Sequence, residues 1–157
     1  MRITQIELYK SPIKLKEPFV ISLGLHEYAE NVIVIIRTDK GVSGFGECSP
    51  FLTINGESMD TCFIVGQYLA KVLLGKDPLN IEPCSKSMDT FIYGNSSIKS
   101  AFDIALYDIA SQNANLPLFR FLSGDNKKEL ITDYTVSLGD ANKMAGDAQK
   151  IKDNGFR

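Results

Sequence analysis

The sequence predicts an α+β fold: an antiparallel β-meander with a helical layer, followed by a β/α unit that begins something larger. Three observations carry that reading. The opening region is rich in β-branched runs separated by turn signals. Residues 98–109 repeat apolar side chains at helical spacing. The stretch ITDYTVSLGDANKMAGDAQKIKDNG (131–155) then reads as a strand, a short loop, an amphipathic helix and a glycine exit.

In chain order, RITQIELYK (2–10) and VIVIIRT (32–38) read as strands, with an additional extended piece, PFVISL (18–23), between them. Asp39-Lys40-Gly41 is a turn signal, and VSGFGE (42–47) returns as the partner strand of a hairpin. The glycines of this segment suit a bent strand. They do not open a helix, as a dinucleotide or phosphate loop must. A loop, SPFLTINGE, leads to Ser58, a good N-cap for a helix carrying Met59, Cys62, Phe63, Leu69, Val72 and Leu73 on its apolar side. That helix is expected to end near Gly75, because Asp77-Pro78 blocks its continuation. A weaker helical pattern lies between Ile81 and Tyr93, and Ser96 is expected to cap the next helix. There Ile98, Ala101, Phe102, Ala105, Leu106 and Ile109 make one continuous stripe. Its alanines permit close approach of another helix, so this helix is expected at the centre of the helical layer. Leu116-Pro117 ends it, and LFRFLSG closes the region.

The tail alternates. In residues 131–138, Tyr134, Val136 and Leu138 are apolar, whereas Asp133, Thr135 and Ser137 are polar. Asp140 caps a helix with Ala141, Met144, Ala145, Ala148 and Ile151 on one side, and Asn154-Gly155 is a good stop. Half of a βαβ unit requires a parallel partner strand, so this region is expected to be the start of something larger.

Composition bounds the function classes. The 157 residues are 44% hydrophobic and 23% charged, with a net charge of −2 and well-mixed signs. Such a balance shows no footprint for nucleic acid or an anionic membrane. No apolar run approaches the roughly 20 residues that span a bilayer. The alternating N-terminus lacks a signal-peptide core. Cys48, Cys62 and Cys84 are far apart and odd in number, which argues for reduced thiols in a cytoplasmic protein; a reactive Cys is the alternative.

Individual candidates are few. His26, the only histidine, has no patterned partner and reads as a surface or loop residue. Glu47 is either a ligand or acid, or, as strand-end carboxylates more often are, a hydrogen-bond acceptor for its surroundings. Asp103 and Asp108 are not helical neighbours and form no paired carboxylate site; Asp108 reads as a helix-packing or interdomain acceptor. No Ser-His-Asp or Cys-His set is present. Thr135 differs in kind. If residues 131–138 are the first strand of a barrel, Tyr134, Val136 and Leu138 face its helices. Thr135 and Ser137 then face inward near the C-terminal end, where (β/α)₈ barrels place active sites.

SAFDIALYDIASQNANLPLFRFLSG resembles the helix signature of the mandelate racemase and muconate-lactonizing branch of the enolase superfamily, and GFGECSP matches its strand-to-loop transition. The resemblance spans the chain to Arg157. It implies an α+β capping domain over residues 1–125, followed by the start of an enolase-like (β/α) barrel over 126–157. Ser123 stands where LSG usually closes with glycine, which affects turn geometry. Within the branch, SPFLTINGESMD and TDYTVS resemble dipeptide epimerases.

That subgroup implies a substrate-lining role for Thr135 and two mobile loops, Pro18 to Leu25 and Pro50 to Ser58, with Phe19, Gly24 and Ile54 as contacts. Dipeptide epimerases preferring an acidic second residue resemble one another in having Arg where Gly24 stands here. A neutral or small dipeptide such as Ala-Ala is therefore expected over Ala-Glu. The resemblance further implies a Mg²⁺-dependent 1,1-proton transfer at the α-carbon beside a carboxylate, through an enediolate, with lysine bases. Those lysines and the acidic metal ligands are expected beyond residue 157. No catalytic or metal-binding residue is expected in this chain, which alone should be inactive. A homo-oligomer is expected when full length. Other enzymes of the branch (N-acylamino acid racemase, o-succinylbenzoate synthase, muconate cycloisomerase) and a non-catalytic binding module remain alternatives.

Overall fold

The computed structural model describes residues 1–125 and 129–156. Strands β1 (Ile3–Ile21), β2 (Gly24–Thr38) and β3 (Ser43–Cys48) come first. Helices α1 (Leu52–Asn55), α2 (Met59–Leu73), α3 (Ile81–Phe91), α4 (Ser96–Asn113) and α5 (Leu118–Phe121) follow, and α6 (Ala141–Asp153) lies in the tail. The strands form an antiparallel sheet in the order β1-β2-β3. Its β2–β3 register pairs Val32 with Cys48, Val34 with Gly46 and Ile36 with Gly44. These residues share one face by the period of two, and all six are buried.

That face is covered by α4, whose whole apolar stripe from Ile98 to Ile109 is removed from solvent. Gly44 and Gly46 explain how closely the helix sits. A Cβ at Gly44 would overlap the Ala105 carbonyl oxygen, and one at Gly46 would overlap that of Ala101. Glycine on the strand and alanine on the helix thus bring two backbones together. The same helix protects the open edge of β3. Asp108 Oδ2 accepts from the Phe45 amide at 2.9 Å, and Gln112 Nε2 donates to the Ser43 carbonyl at 2.8 Å. Packing against this core, α2 and α3 bury Cys62, Leu69, Leu73, Cys84 and Met88.

Termini follow local chemistry, with one correction. Ser58 and Thr61 form a reciprocal capping box on α2. The expected cap Ser96 is instead the first residue of α4; Asn95 occupies the cap in a left-handed conformation and makes no side-chain cap bond. A carboxylate from elsewhere serves that end, as described below. The C-terminus of α4 is a Schellman motif: Leu116 N donates to Ser111 O and Asn115 N to Gln112 O, both at 3.0 Å.

The chain forms two compact units, Met1–Ile13 with Glu30–Asn126, and Lys14–Ala29 with Lys127–Arg157. The far ends of β1 and β2 therefore group with the C-terminal segment. Residue 126, at the boundary expected from sequence, lies outside the described residues. Two further expectations are corrected. PFVISL is not a separate piece; it completes β1, which turns at Ser22-Leu23 directly into β2, so residues 18–25 are a hairpin tip. Residues 131–138 form no strand ladder among the described residues. A strand is defined by backbone bonds to a neighbour, and this segment meets β1 through only one such bond, Leu138 N to Val20 O.

Candidate functional site

The second unit holds three of the residues singled out from sequence: Phe19 and Gly24 on the hairpin and Thr135 on the tail. An edge strand tolerates the prolines of β1, Pro12 and Pro18, because it need not donate on its open side. The hairpin leads Phe19, half-buried, towards the turn and Gly24 away from it. Gly24 has φ of +139° with open space around it, a backbone that side chains bearing a Cβ rarely adopt. Val20, next to Phe19, is held on both sides of its backbone. Its amide donates to Ser137 Oγ at 2.8 Å and its carbonyl accepts from Leu138 N at 2.8 Å.

Residues 131–136 approach α6 without a ladder. The Tyr134 ring meets Phe156 edge-on at 5.4 Å, and Val136 shares an open hollow of about 980 Å³ with Ala148 and Ile151 of α6. Ser137 turns instead to the hairpin, and Thr135, two residues earlier, is exposed.

In the first unit, Ile54 sits on the single turn α1, 70% exposed, and Gly56 closes that turn in the left-handed region. What fixes this loop is a residue that sequence reasoning passed over. Glu57 is only 7% exposed, and its carboxylate accepts from Ser96 Oγ at 3.1 Å and from Ser97 N at 3.1 and 3.2 Å. It neutralises the unsatisfied amides at the start of α4, where an anion is also favoured by the helix dipole. Asn55 adds a second tie, donating from Nδ2 to Ser97 Oγ at 2.8 Å. Loop 50–58 is therefore anchored at its C-terminal end and presents Ile54 at its exposed part. Glu57 precedes the visible cap Ser58 in sequence, but its partners lie about forty positions on, and no local pattern announces them.

Remaining candidates have structural partners. Glu47 accepts from Asn31 Nδ2 at 2.7 Å on the neighbouring strand. Asp103 accepts from Ser85 Oγ at 3.4 Å, tying α4 to α3. His26 is half-buried within β2. All three thiols are buried. The hydrogen bond to Cys48, then burial, pushes the Cys62 thiol far up, and burial raises Cys84, so neither is poised as a thiolate. Lys143 and Lys150 both reach Asp147, at 2.7 and 3.3 Å. The Asp147 carboxylate raises the Lys143 ammonium above its usual value. Among the described residues, no group of three or more His, Cys, Asp or Glu is placed to hold a metal ion. None of their helices is long and apolar enough to cross a membrane.

Residues 3–123 match the profile of the mandelate racemase / muconate lactonizing enzyme N-terminal domain. The chain belongs to that family. Its mandelate racemase / muconate lactonizing fold is similar to a dipeptide epimerase from Cytophaga hutchinsonii crystallised with Mg and the dipeptide D-Ala-L-Val, with a TM-score of 0.97 over 99% of this chain and 42% of that one. The curated relative from that organism, a D-Ala-D/L-Ala epimerase, is 64% identical over 156 residues. The chain spans 42% of that relative's length. A dipeptide epimerase from Enterococcus faecalis crystallised with Mg and L-Leu-L-Tyr is similar at 37% identity and a TM-score of 0.93, covering 99% of this chain and 44% of that one. The L-Ala-D/L-Glu epimerase of Bacillus subtilis is similar at 38% identity and a TM-score of 0.91, with coverage of 99% and 44%.

Proposed function

We propose that the whole protein carrying this chain is a dipeptide epimerase acting on a small, neutral dipeptide such as Ala-Ala. The observation that carries the reading is the match in sequence to a D-Ala-D/L-Ala epimerase of Cytophaga hutchinsonii and in fold to a dipeptide epimerase of that organism crystallised with Mg and D-Ala-L-Val. Gly24 supports the neutral preference. It offers no guanidinium for a second side-chain carboxylate, and its backbone at +139° is ill suited to an arginine.

In this reading Phe19, Gly24, Ile54 and Thr135 line and orient the substrate, the first three from elements that close over it. The described residues do not fit a Mg²⁺ site, so the metal is held by residues other than these. Lys143 and Lys150 are not the bases: both are paired with Asp147, and a raised pKa keeps Lys143 an ammonium, the wrong form for taking a proton. The chain by itself therefore binds and orients, and is expected to show no turnover.

A substrate panel tests the proposal. The whole protein should give its highest kcat/KM with Ala-Ala or another small neutral dipeptide. A higher value with Ala-Glu would sink the neutral preference. A higher value with N-succinyl amino acids would move the assignment to the racemase class represented by the Bacillus cereus relative, N-succinyl-L-Arg/Lys racemase, which is 34% identical.

A further inference from the structure

We propose that Ser137 is a positioning residue for substrate specificity: its hydroxyl sets where the hairpin tip bearing Phe19 and Gly24 stands relative to the segment bearing Thr135. The inference rests on the epimerase reading and adds to it a residue that the reading does not require. Val20 belongs to the strand that carries Phe19, and 117 residues separate it from Ser137. Its amide nevertheless donates to Ser137 Oγ at 2.8 Å, and Ser137 Oγ also lies 3.5 Å from the Val20 carbonyl oxygen. The adjoining amide, Leu138 N, donates to that same carbonyl at 2.8 Å.

A hydroxyl here stands in for the backbone carbonyl that a regular ladder would supply. This substitution has two consequences. First, the tip is joined to the 131–138 segment by one backbone bond and one side-chain bond, so its placement depends on the identity of residue 137 in a way a full ladder would not. Second, the contact is polar at both atoms and Ser137 is half-buried, so losing the hydroxyl leaves the Val20 amide without its partner. Thr135, two residues earlier, is the candidate substrate contact on the tail. A tip that shifts at Val20 moves Phe19, its chain neighbour, relative to Thr135.

The test compares Ser137→Ala and Ser137→Thr with wild type in the whole protein, using amide hydrogen exchange at Val20 and steady-state kinetics on Ala-Ala. Ser137→Ala is expected to lose protection at Val20 and to raise KM about fivefold with kcat within about twofold, the size of one neutral hydrogen bond. Ser137→Thr, which keeps a hydroxyl, should restore both. If Val20 protection falls in Ser137→Ala while KM stays at the wild-type value, the bond is purely structural and the proposal fails. Unchanged protection also defeats it. Wild-type protein that epimerises no dipeptide would instead defeat the function proposed above, while the exchange measurement still decides whether Ser137 holds the tip.

Discussion

Ser123 follows α5 at φ of +62°, and Gly124 N and Ser123 N close a Schellman motif onto Phe119 O and Arg120 O. Its position after the helix is the one that glycine fills without penalty and a residue with a Cβ fills at a cost of about 1 kcal/mol. Ser123→Gly is therefore expected to stabilise the chain by about 1 kcal/mol, read as a higher urea midpoint at an unchanged slope. A lower midpoint would contradict it. The departure from glycine was legible only through the family resemblance, which supplies the residue usual at that position. Glu57 was not legible, and the difference is distance along the chain: a cap drawn from forty residues away leaves no local trace, whereas Ser58, directly before the helix that it caps, announces itself.

At the scale of elements, the pairing of β3 with α4 organises the first unit. The helix was readable from its stripe, and every residue of the stripe from Ile98 to Ile109 is buried as the spacing requires. The strand's glycines were readable only as a bend, since their cause is a helix backbone some sixty residues on. Two Gly→Ala substitutions separate the effects. Gly46→Ala should destabilise by about 3 kcal/mol, because the new methyl meets the Ala101 carbonyl and neither backbone can yield cheaply. Gly146→Ala, in the exposed middle of α6 with open space around it, should stabilise by up to about 1 kcal/mol through helix propensity alone. Chemical denaturation of both variants checks the pair; equal signs would refute the close-approach account. The tail shows the opposite kind of miss. Tyr134 and Val136 do line a hollow with α6, but Asp133 lines it too and the strand itself is not formed, because only a neighbouring strand supplies the ladder that holds alternate residues on opposite faces.

For the whole molecule, the family membership and the three-stranded sheet with its helical layer place the candidate contacts on defined elements: Phe19 and Gly24 on a hairpin tip, Ile54 on an anchored loop, and Thr135 beside the residue that holds the tip. Residues 18–23 were expected as a separate extended piece and 18–25 as a mobile loop, but β-branched Val20 and Ile21 carry β1 on to a two-residue turn. We propose that these contacts serve an enzyme that removes and returns the α-proton of a neutral dipeptide. Incubating the whole protein with Ala-Ala and Mg²⁺ in D₂O and following the α-proton resonances by NMR decides the matter. One residue's α-proton signal should be lost as the other diastereomer appears, and much more slowly in Thr135→Ala. Retention of every α-proton signal in Ala-Ala at high enzyme concentration would contradict it.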